Sequence, residues 1–351
     1  MTRILFILKR REDYSQDASY SQQIISTGLL NSADFVSTML LDMNVESKIV
    51  VVTDNDDIDR EVSLYQPTHV IIEALWVVPS KFKVLTALYP AIKWIVRFHS
   101  EAPFIAGEGV AMSWIHDYMQ FPSVYLGINA TRFHGEVRDI LIAGGHSEVE
   151  INERVIHLPN YYPVGAYVSP PAHDDSRDYI NVGCFGDIRP LKNQLIQAIA
   201  ALRFARSIKK KLHFHINIAQ TKNNLNPILL NLQGLFNGLA DQGHLLIEHE
   251  WMPHAEFVQI LHVMDIGMQV SFSETFNIVA ADMIHAGVPI VVSKEVPWCL
   301  LGIAAPTNSR DIAHEMKKAW RFPAVNVIVN RFNLKRYVKK SKQVWQTALC
   351  E

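Results

Sequence analysis

The sequence predicts an α/β protein with two doubly wound domains, each a parallel sheet with helices on both faces. Short apolar runs alternate with segments of helical periodicity along most of the 351 residues, as in chains built from βαβ units. A polar, proline-containing segment, 161–178, interrupts this alternation, which then begins again. The segment 270–293 has the pattern of one complete β-α-β unit. We therefore expect two domains joined by a linker, with a cleft between them as the natural ligand site.

The first domain is predicted to cover residues 1–160. Its first strand is followed by a polar segment, 9–26, whose length is typical of a functional loop in a compact domain. A lid over an acceptor is one interpretation of this segment. The strands predicted after it are 48–53, 69–74, 94–98, 123–127 and 154–158. The predicted helices are 31–43, a short helix between the strands 48–53 and 69–74, 77–88, 110–119 and 132–143.

The second domain is predicted to cover residues 179–325, after the linker 161–178, and a basic C-terminal helix covers 326–351. The strands predicted in this domain are 180–186, 212–219, 245–249 and 266–271, and the helices are 191–207, 227–239 and 255–264.

The composition favours a cytoplasmic protein. With 49% hydrophobic residues the chain has enough apolar surface for two cores. No apolar run reaches the ~18 residues of a spanning helix, and no signal peptide pattern opens the chain. The three cysteines have neither metal nor redox spacing, as expected in a reducing compartment. The formal charge of −2 does not indicate an extended nucleic-acid groove.

The C-terminal segment is strongly basic, because no acid lies between Glu315 and Glu351. One interpretation is an anionic partner, either DNA phosphates or an anionic membrane face. The other is a solvated helix face, with Phe332, Val338 and Trp345 packing inward. The nine cations are Lys317, Lys318, Arg321, Arg331, Lys335, Arg336, Lys339, Lys340 and Lys342.

Two carboxylates mark the β-α-β unit 270–293. Glu274 and Asp282 are eight positions apart, about 800° of helical rotation, so a helix begun near Glu274 would present both on one side. Glu274 could simply favour a helix dipole, but Asp282 lies among apolar residues and needs a polar partner. Short polar residues, Ser271, Ser273, Thr275 and Asn277, surround Glu274.

The turn 183–193 has the pattern of an anion site. Gly186 follows a predicted strand, and Arg189 and Lys192 precede a predicted helix. The helix N-terminus would add its own positive potential, which suits a diphosphate. An ordinary βα turn with solvated cations is the alternative, since the turn has neither a Walker nor a GxGxxG pattern.

In the first domain, His99 and Glu101 follow the predicted strand 94–98, and Glu73 ends another. His99 at a strand's carboxyl end could bind a substrate hydroxyl or assist its deprotonation; a packed or surface histidine is the alternative. His249 and His254 match no zinc spacing, and no metal site is predicted.

These motifs, taken together, resemble a large family of retaining, nucleotide-sugar-dependent glycosyltransferases of the GT-B fold. Glu274 and Asp282 with the run 286–291 resemble the family's E-x7-E motif and the A-G-x-P-V-V run after it. The turn 186–192 and the strand 155–160 resemble two further family motifs. The resemblance implies two Rossmann-like domains facing a cleft, with the C-terminal helix crossing back to the first domain.

The resemblance also implies roles for single residues. Lys192 would bind the donor's diphosphate at the Gly186 turn, with Arg189 beside it, while Glu274 would bind the transferred sugar and Asp282 the ribose. His99, Glu274 and Lys192 would be the catalytic residues. The remaining donor-binding residues would be Ser273, Thr275, Phe276, Asn277, Trp251 and Met252, the first four near sugar and phosphate and the last two near the base.

Three features depart from the family pattern. Asp187 stands where the family has an arginine, Asp282 replaces a longer glutamate, and the first loop lacks a Gly-Gly pair. A UDP-sugar is the expected donor, used without a metal or other cofactor. The short architecture also resembles phage enzymes that glycosylate hydroxymethylated DNA bases, so the acceptor could be such DNA or another hydroxyl compound.

Three alternatives stay open at this point. One is a metal-dependent, single-domain transferase that uses the acidic run 54–56. The second is a non-catalytic protein that binds a nucleotide or a sugar, and the third is a nucleotide-sugar epimerase of the same fold.

Overall fold

A computed structural model describes residues 2–10, 28–170, 176–218 and 226–350 of the chain. Most of the polar segment predicted over 9–26 lies outside these residues, as does part of the predicted linker. Contacts divide the described chain into two units. The first comprises residues 2–10, 28–163 and 338–350, and the second comprises residues 164–170, 176–218 and 226–337. None of the described helices is long and apolar enough to cross a membrane.

The first unit contains a six-stranded parallel sheet in the order β2-β1-β3-β4-β5-β6. Its strands are β1 (Arg3–Lys9), β2 (Glu46–Val52), β3 (His69–Glu73), β4 (Lys93–Phe98), β5 (Val124–Ile128) and β6 (Val155–His157). Its helices are α1 (Gly28–Leu41), α2 (Asp57–Tyr65), α3 (Pro79–Leu88), α4 (Ala102–Ile105), α5 (Ala111–Tyr118), α6 (Thr131–Ala143) and α7 (Glu148–Arg154). Helices α4 and α7 were not predicted. The N-cap of α7 is Ser147, whose Oγ accepts from the Glu150 N–H at 3.2 Å.

Both faces of this sheet are apolar, as expected for a parallel sheet covered on two sides. Along β1, Leu5 and Ile7 join the core on one face, and Ile4, Phe6 and Leu8 join the core on the other. This alternation follows from the two-residue period of a strand.

The second unit contains a five-stranded parallel sheet in the order β11-β10-β7-β8-β9. Its strands are β7 (Tyr179–Gly183), β8 (Lys211–Ile218), β9 (Leu245–Glu250), β10 (Ile266–Gln269) and β11 (Ile290–Val292). Its helices are α8 (Gln194–Ser207), α9 (Pro227–Asn237), α10 (His254–Leu261), α11 (Ile278–His285) and α12 (Ser309–Arg321), the last of which was not predicted. The predicted α/β class, with two parallel sheets, is confirmed.

The α11–β11 connection explains the Ala-Gly-Val-Pro run. Gly287 has φ +80°, and a Cβ there would lie 2.9 Å from the carbonyl oxygens of Val168 and Ser169. The Val288 N–H donates to the Met283 carbonyl at 2.8 Å, as in a Schellman cap. Glycine is therefore required both by the backbone conformation and by the close approach of residues 168–169.

The basic C-terminal helix, α13 (Pro323–Cys350), begins three residues before the predicted 326. Val338 and Trp345 are buried, as expected, and Trp345 lies in a core of the first unit. The inward packing predicted for Phe332 is wrong, because this side chain is 62% exposed. Phe332 lies outside the inner face of the helix, whereas Leu334, two positions later, is buried.

Candidate donor site

The second unit has a topological switch point at the carboxyl ends of β7 and β10. These neighbouring strands are parallel, and the chain leaves β7 toward β8 on one side and returns to β10 on the other. In sheets of this strand order, ligands bind outside the strand ends at the switch point. The turn after β7 carries Lys192, and the loop after β10 carries Glu274.

The turn after β7 is held by side-chain amides. Gly186 has φ +109°, and its N–H donates to Oδ1 of Asn217 at 3.0 Å. Asn193, also in the left-handed region at φ 59°, precedes α8. Its Nδ2 donates to the carbonyls of Val270 at 2.9 Å and Pro306 at 2.7 Å. The turn is therefore fixed to the end of β10.

The cation and the carboxylate predicted to bind one donor lie in direct contact. Lys192 Nζ is 2.6 Å from Glu274 Oε1, with side chains 14% and 8% exposed. Gln197 supports this pair, donating to the Lys192 carbonyl at 2.7 Å and accepting from the Val270 N–H at 2.8 Å. Arg189 lies half-buried in the same turn. A partner that replaced Glu274 at Lys192 would have to be an anion.

The expectation that Glu274 and Asp282 lie on one side of a helix is wrong. Asn277, with φ 66°, is the N-cap of α11, and its Oδ1 accepts from the Ala280 N–H at 2.8 Å. Its Nδ2 donates to Oε1 of Gln269 at 2.9 Å. An asparagine cap in the left-handed region turns the chain before the helix starts. Glu274 and Asp282 therefore do not share a helix face, since Glu274 lies in the preceding loop.

Asp282 has the partner that its apolar surroundings require. Its side chain is 2% exposed, and Oδ1 is hydrogen-bonded to Nε2 of His254, the first residue of α10, at 2.8 Å. A buried carboxylate held by an imidazole keeps a fixed orientation. This role of His254 was not predicted, because its distance in sequence from Asp282 follows no recognisable pattern.

The other predicted donor residues differ in exposure. Ser273, Thr275, Trp251 and Met252 are half-buried, the last two directly after β9. Phe276 is fully buried, and its ring centroid lies 6.0 Å from that of Trp298 and 5.4 Å from that of Tyr337. The Phe276 carbonyl accepts a hydrogen bond from Trp298 Nε1. Its side chain is therefore part of the core, and only its backbone remains for the predicted role. Ser271 is also fully buried.

The first unit contains a second polar cluster, centred on Arg97. This fully buried guanidinium lies 3.1 Å from Glu73 Oε1 and donates to Asn160 Oδ1 at 2.9 Å. Its Cζ lies 5.0 Å from the Trp345 ring centroid. His99 Nε2 is hydrogen-bonded to Glu73 Oε2. The strand-end residues predicted from the sequence, Glu73 and His99, therefore do meet.

Burial and neighbouring charges both shift the pKa values of Glu73 and His99. Burial alone would raise the pKa of Glu73, but the Arg97 charge and the hydrogen bonds from His99 and Arg97 outweigh it, and the pKa lies below its ordinary value. Burial lowers the pKa of His99, and Arg97 acts in the same direction, against the Glu73 carboxylate. Near neutral pH the geometry therefore favours a neutral imidazole hydrogen-bonded to a carboxylate, as a general base requires.

Two other predicted features have simpler surroundings. Glu101 accepts a hydrogen bond from the Arg132 guanidinium. In the acidic run, Asp54 Oδ1 accepts from the Asp56 N–H at 2.7 Å, and Asp56 pairs with Lys81 at 2.7 Å. Among the described residues, no three His, Cys, Asp or Glu side chains lie close enough together to hold a metal ion.

No protein-family model and no curated protein sequence matches the chain. Solved structures do match it. The UDP-forming α,α-trehalose-phosphate synthase from Burkholderia xenovorans aligns with a TM-score of 0.68 and 10% identity over 100% of this chain and 99% of its own. A trehalose-6-phosphate synthase studied for glycosyl transfer with retention aligns with a TM-score of 0.65 and 11% identity over 99% of both chains.

TarM of S. aureus, a mutant in complex with fondaparinux, α-GlcNAc-glycerol and UDP, aligns with a TM-score of 0.58 and 11% identity over 81% of this chain and 55% of its own. At such low identity these matches establish the fold. The resemblance to GT-B glycosyltransferases is confirmed at that level: this chain has the GT-B fold, with two doubly wound α/β domains.

Proposed function

We propose that the chain is a glycosyltransferase that moves a sugar from a UDP-sugar to an acceptor hydroxyl, with retention and without a metal ion. The observation that carries this proposal is the contact of 2.6 Å between Lys192 and Glu274 at the switch point of the second unit. Among the solved structures with this fold are a UDP-forming synthase, an enzyme in complex with UDP and a synthase studied for glycosyl transfer with retention. An epimerase or a binding protein could share the fold, so the assays below separate them.

In this proposal Lys192 stabilises the departing diphosphate. Its ammonium group is held by Glu274 until an anion arrives, and Arg189 lies in the same turn. Cleavage of the sugar–phosphate bond leaves negative charge on the diphosphate, so a preorganised cation lowers the barrier. Two cations in one turn supply the charge that a metal ion supplies in metal-dependent transferases.

The two carboxylates have separate tasks. Glu274 accepts hydrogen bonds from hydroxyls of the transferred sugar and opposes the positive charge that develops on the ring. Asp282 binds the ribose hydroxyls, and His254 holds its carboxylate in place at 2.8 Å.

The acceptor side of the proposal rests on the first unit. His99, held by Glu73, takes up the proton of the acceptor hydroxyl. The predicted acceptor stays a hydroxymethylated base in DNA or another hydroxyl compound, and the cytoplasm stays the predicted compartment.

The test is a thermal-shift panel of UDP, ADP, GDP and UDP-sugars, followed by transfer assays with the best donor on hydroxymethylated DNA and on small hydroxyl acceptors. The proposal expects stabilisation by UDP, transfer with an unchanged anomeric configuration in NMR spectra, and full activity in EDTA. Binding without transfer to any acceptor would favour the binding protein, and release of an epimerised sugar would favour the epimerase. No stabilisation by any nucleotide would refute the donor site.

A further inference from the structure

One face of the C-terminal helix is apolar and exposed. Phe322, which directly precedes α13, and Val325, Ile328 and Phe332 within it are 53%, 52%, 52% and 62% exposed. Within the helix, the spacing of three and four residues puts Val325, Ile328 and Phe332 on one side. We name these four residues the apolar face.

The same segment turns polar residues inward. Asn326 accepts from the Ile290 N–H at 2.9 Å and donates to the Ile290 carbonyl at 3.0 Å. One turn later, Asn330 Oδ1 accepts from the N–H groups of Leu300 and Leu301 at 2.9 and 3.0 Å. Surface helices of globular proteins usually bury their apolar side and expose their polar side. The exposed apolar face is therefore not needed to hold this helix on its unit.

Exposed cations border the apolar face at both ends. Lys317 and Arg321 precede it, and Lys335 and Arg336 follow it. Arg321 Cζ lies 5.3 Å from the Phe322 ring centroid, a cation–π contact that keeps the charge beside the apolar surface. No acid occurs between residues 315 and 351, so nothing within this part of the chain neutralises these cations.

We propose that the apolar face docks the protein on an anionic lipid surface. Apolar side chains enter the boundary between headgroups and acyl chains, while the bordering lysines and arginines contact lipid phosphates. A second copy of this chain fits less well, because a symmetric contact would bring the cations against each other. DNA would use the cations but would leave the apolar side chains without a role. Docking requires neither donor nor acceptor, so it goes beyond the glycosyltransferase proposal.

The test is flotation of the full chain with vesicles of phosphatidylcholine alone and with vesicles containing one third phosphatidylglycerol. We expect binding to the anionic vesicles that is at least tenfold tighter than to neutral ones and that weakens as salt rises. The double substitution Ile328→Ser and Phe332→Ser should weaken it at least tenfold. Leu64→Ser is the matched control, because Leu64 is 72% exposed in the first unit, and it should change nothing.

Three results would overturn the proposal. The first is that the full chain does not float with anionic vesicles. The second is that the double variant, with an unchanged melting temperature, floats as well as the parent. The third is a dimer in analytical ultracentrifugation that the double substitution dissociates, which would identify a second copy as the partner. Flotation without any added nucleotide separates all of these results from a failure of the donor site.

Discussion

Substitutions at Lys192 and Glu274 test whether their contact is part of the donor site or only an ion pair of the fold. Both side chains are largely buried, at 14% and 8% exposure. Removing one partner of a buried pair leaves an uncompensated charge, at a typical cost of about 3–5 kcal/mol. Because water still reaches Lys192, we expect Glu274→Ala to lower the free energy of unfolding by about 2–4 kcal/mol. The double variant should lose less than the sum of the single losses, since it leaves no unpaired charge.

The effect on turnover is separate from this loss of stability. If Lys192 binds the diphosphate and Glu274 the sugar, each alanine variant should lower kcat/KM at least tenfold, about 1.4 kcal/mol or more. Turnover is measured well below the melting temperature of each variant, and circular dichroism verifies the fold. The assay is transfer from a UDP-sugar under single-turnover conditions.

The chain offers a matched control for this experiment. Lys318 and Glu315 in α12 also lie 2.6 Å apart, but Lys318 is 57% exposed. An exposed helical pair contributes less than about 1 kcal/mol. Lys318→Ala should therefore change the free energy of unfolding by no more than that and should leave kcat/KM unchanged. Wild-type kcat/KM in both Lys192→Ala and Glu274→Ala would refute the reasoning, whatever their stability.

Three further predictions concern other parts of the chain. Asp282→Asn should weaken UDP binding about tenfold in calorimetry, because the ribose loses a charged acceptor; equal affinity would remove Asp282 from the site. Glu73→Gln should lower the free energy of unfolding in urea by about 3 kcal/mol, since Arg97 loses its buried partner, whereas Glu46→Gln, in a surface pair, should change it by less than about 1 kcal/mol. Burial lowers the pKa of His215 to about 3 from the ordinary 6.5, so its contribution to stability should be complete above pH 6.5 and fall by up to about 1.4 kcal/mol per pH unit as the pH drops toward 3; a His215→Asn variant with the same pH dependence as the parent would contradict this.

Local patterns in the sequence predicted the sheets but not all of the helices. The strands were found because runs such as 94–98 are short, apolar and bounded by polar residues. Helix α7 was missed because Glu148–Arg154 has seven residues and only Ile151 and Arg154 are buried, too few for a periodic pattern. Helix α12 has a strong apolar stripe. It was not predicted because its charged residues were interpreted as part of the basic segment that follows.

The sequence predicted which residues belong to the candidate site, but it did not predict which of them contact each other. Lys192 and Glu274 could be named because each follows a strand, and parallel strands bring their carboxyl ends to one edge. Their contact, like that of Asp282 with His254, joins residues far apart in the chain, and no local pattern encodes it. The wrong expectation that Glu274 and Asp282 share a helix side has a local cause, since the 3.6-residue period cannot show that Asn277 adopts a left-handed conformation and caps the helix.

The most direct test of the donor site is a crystal structure of the chain with UDP bound. We predict that the diphosphate lies within hydrogen-bonding distance of Lys192 Nζ, that Glu274 turns away from that ammonium group, and that the ribose hydroxyls contact Asp282. UDP bound elsewhere, with the contact between Lys192 and Glu274 intact, would contradict the account.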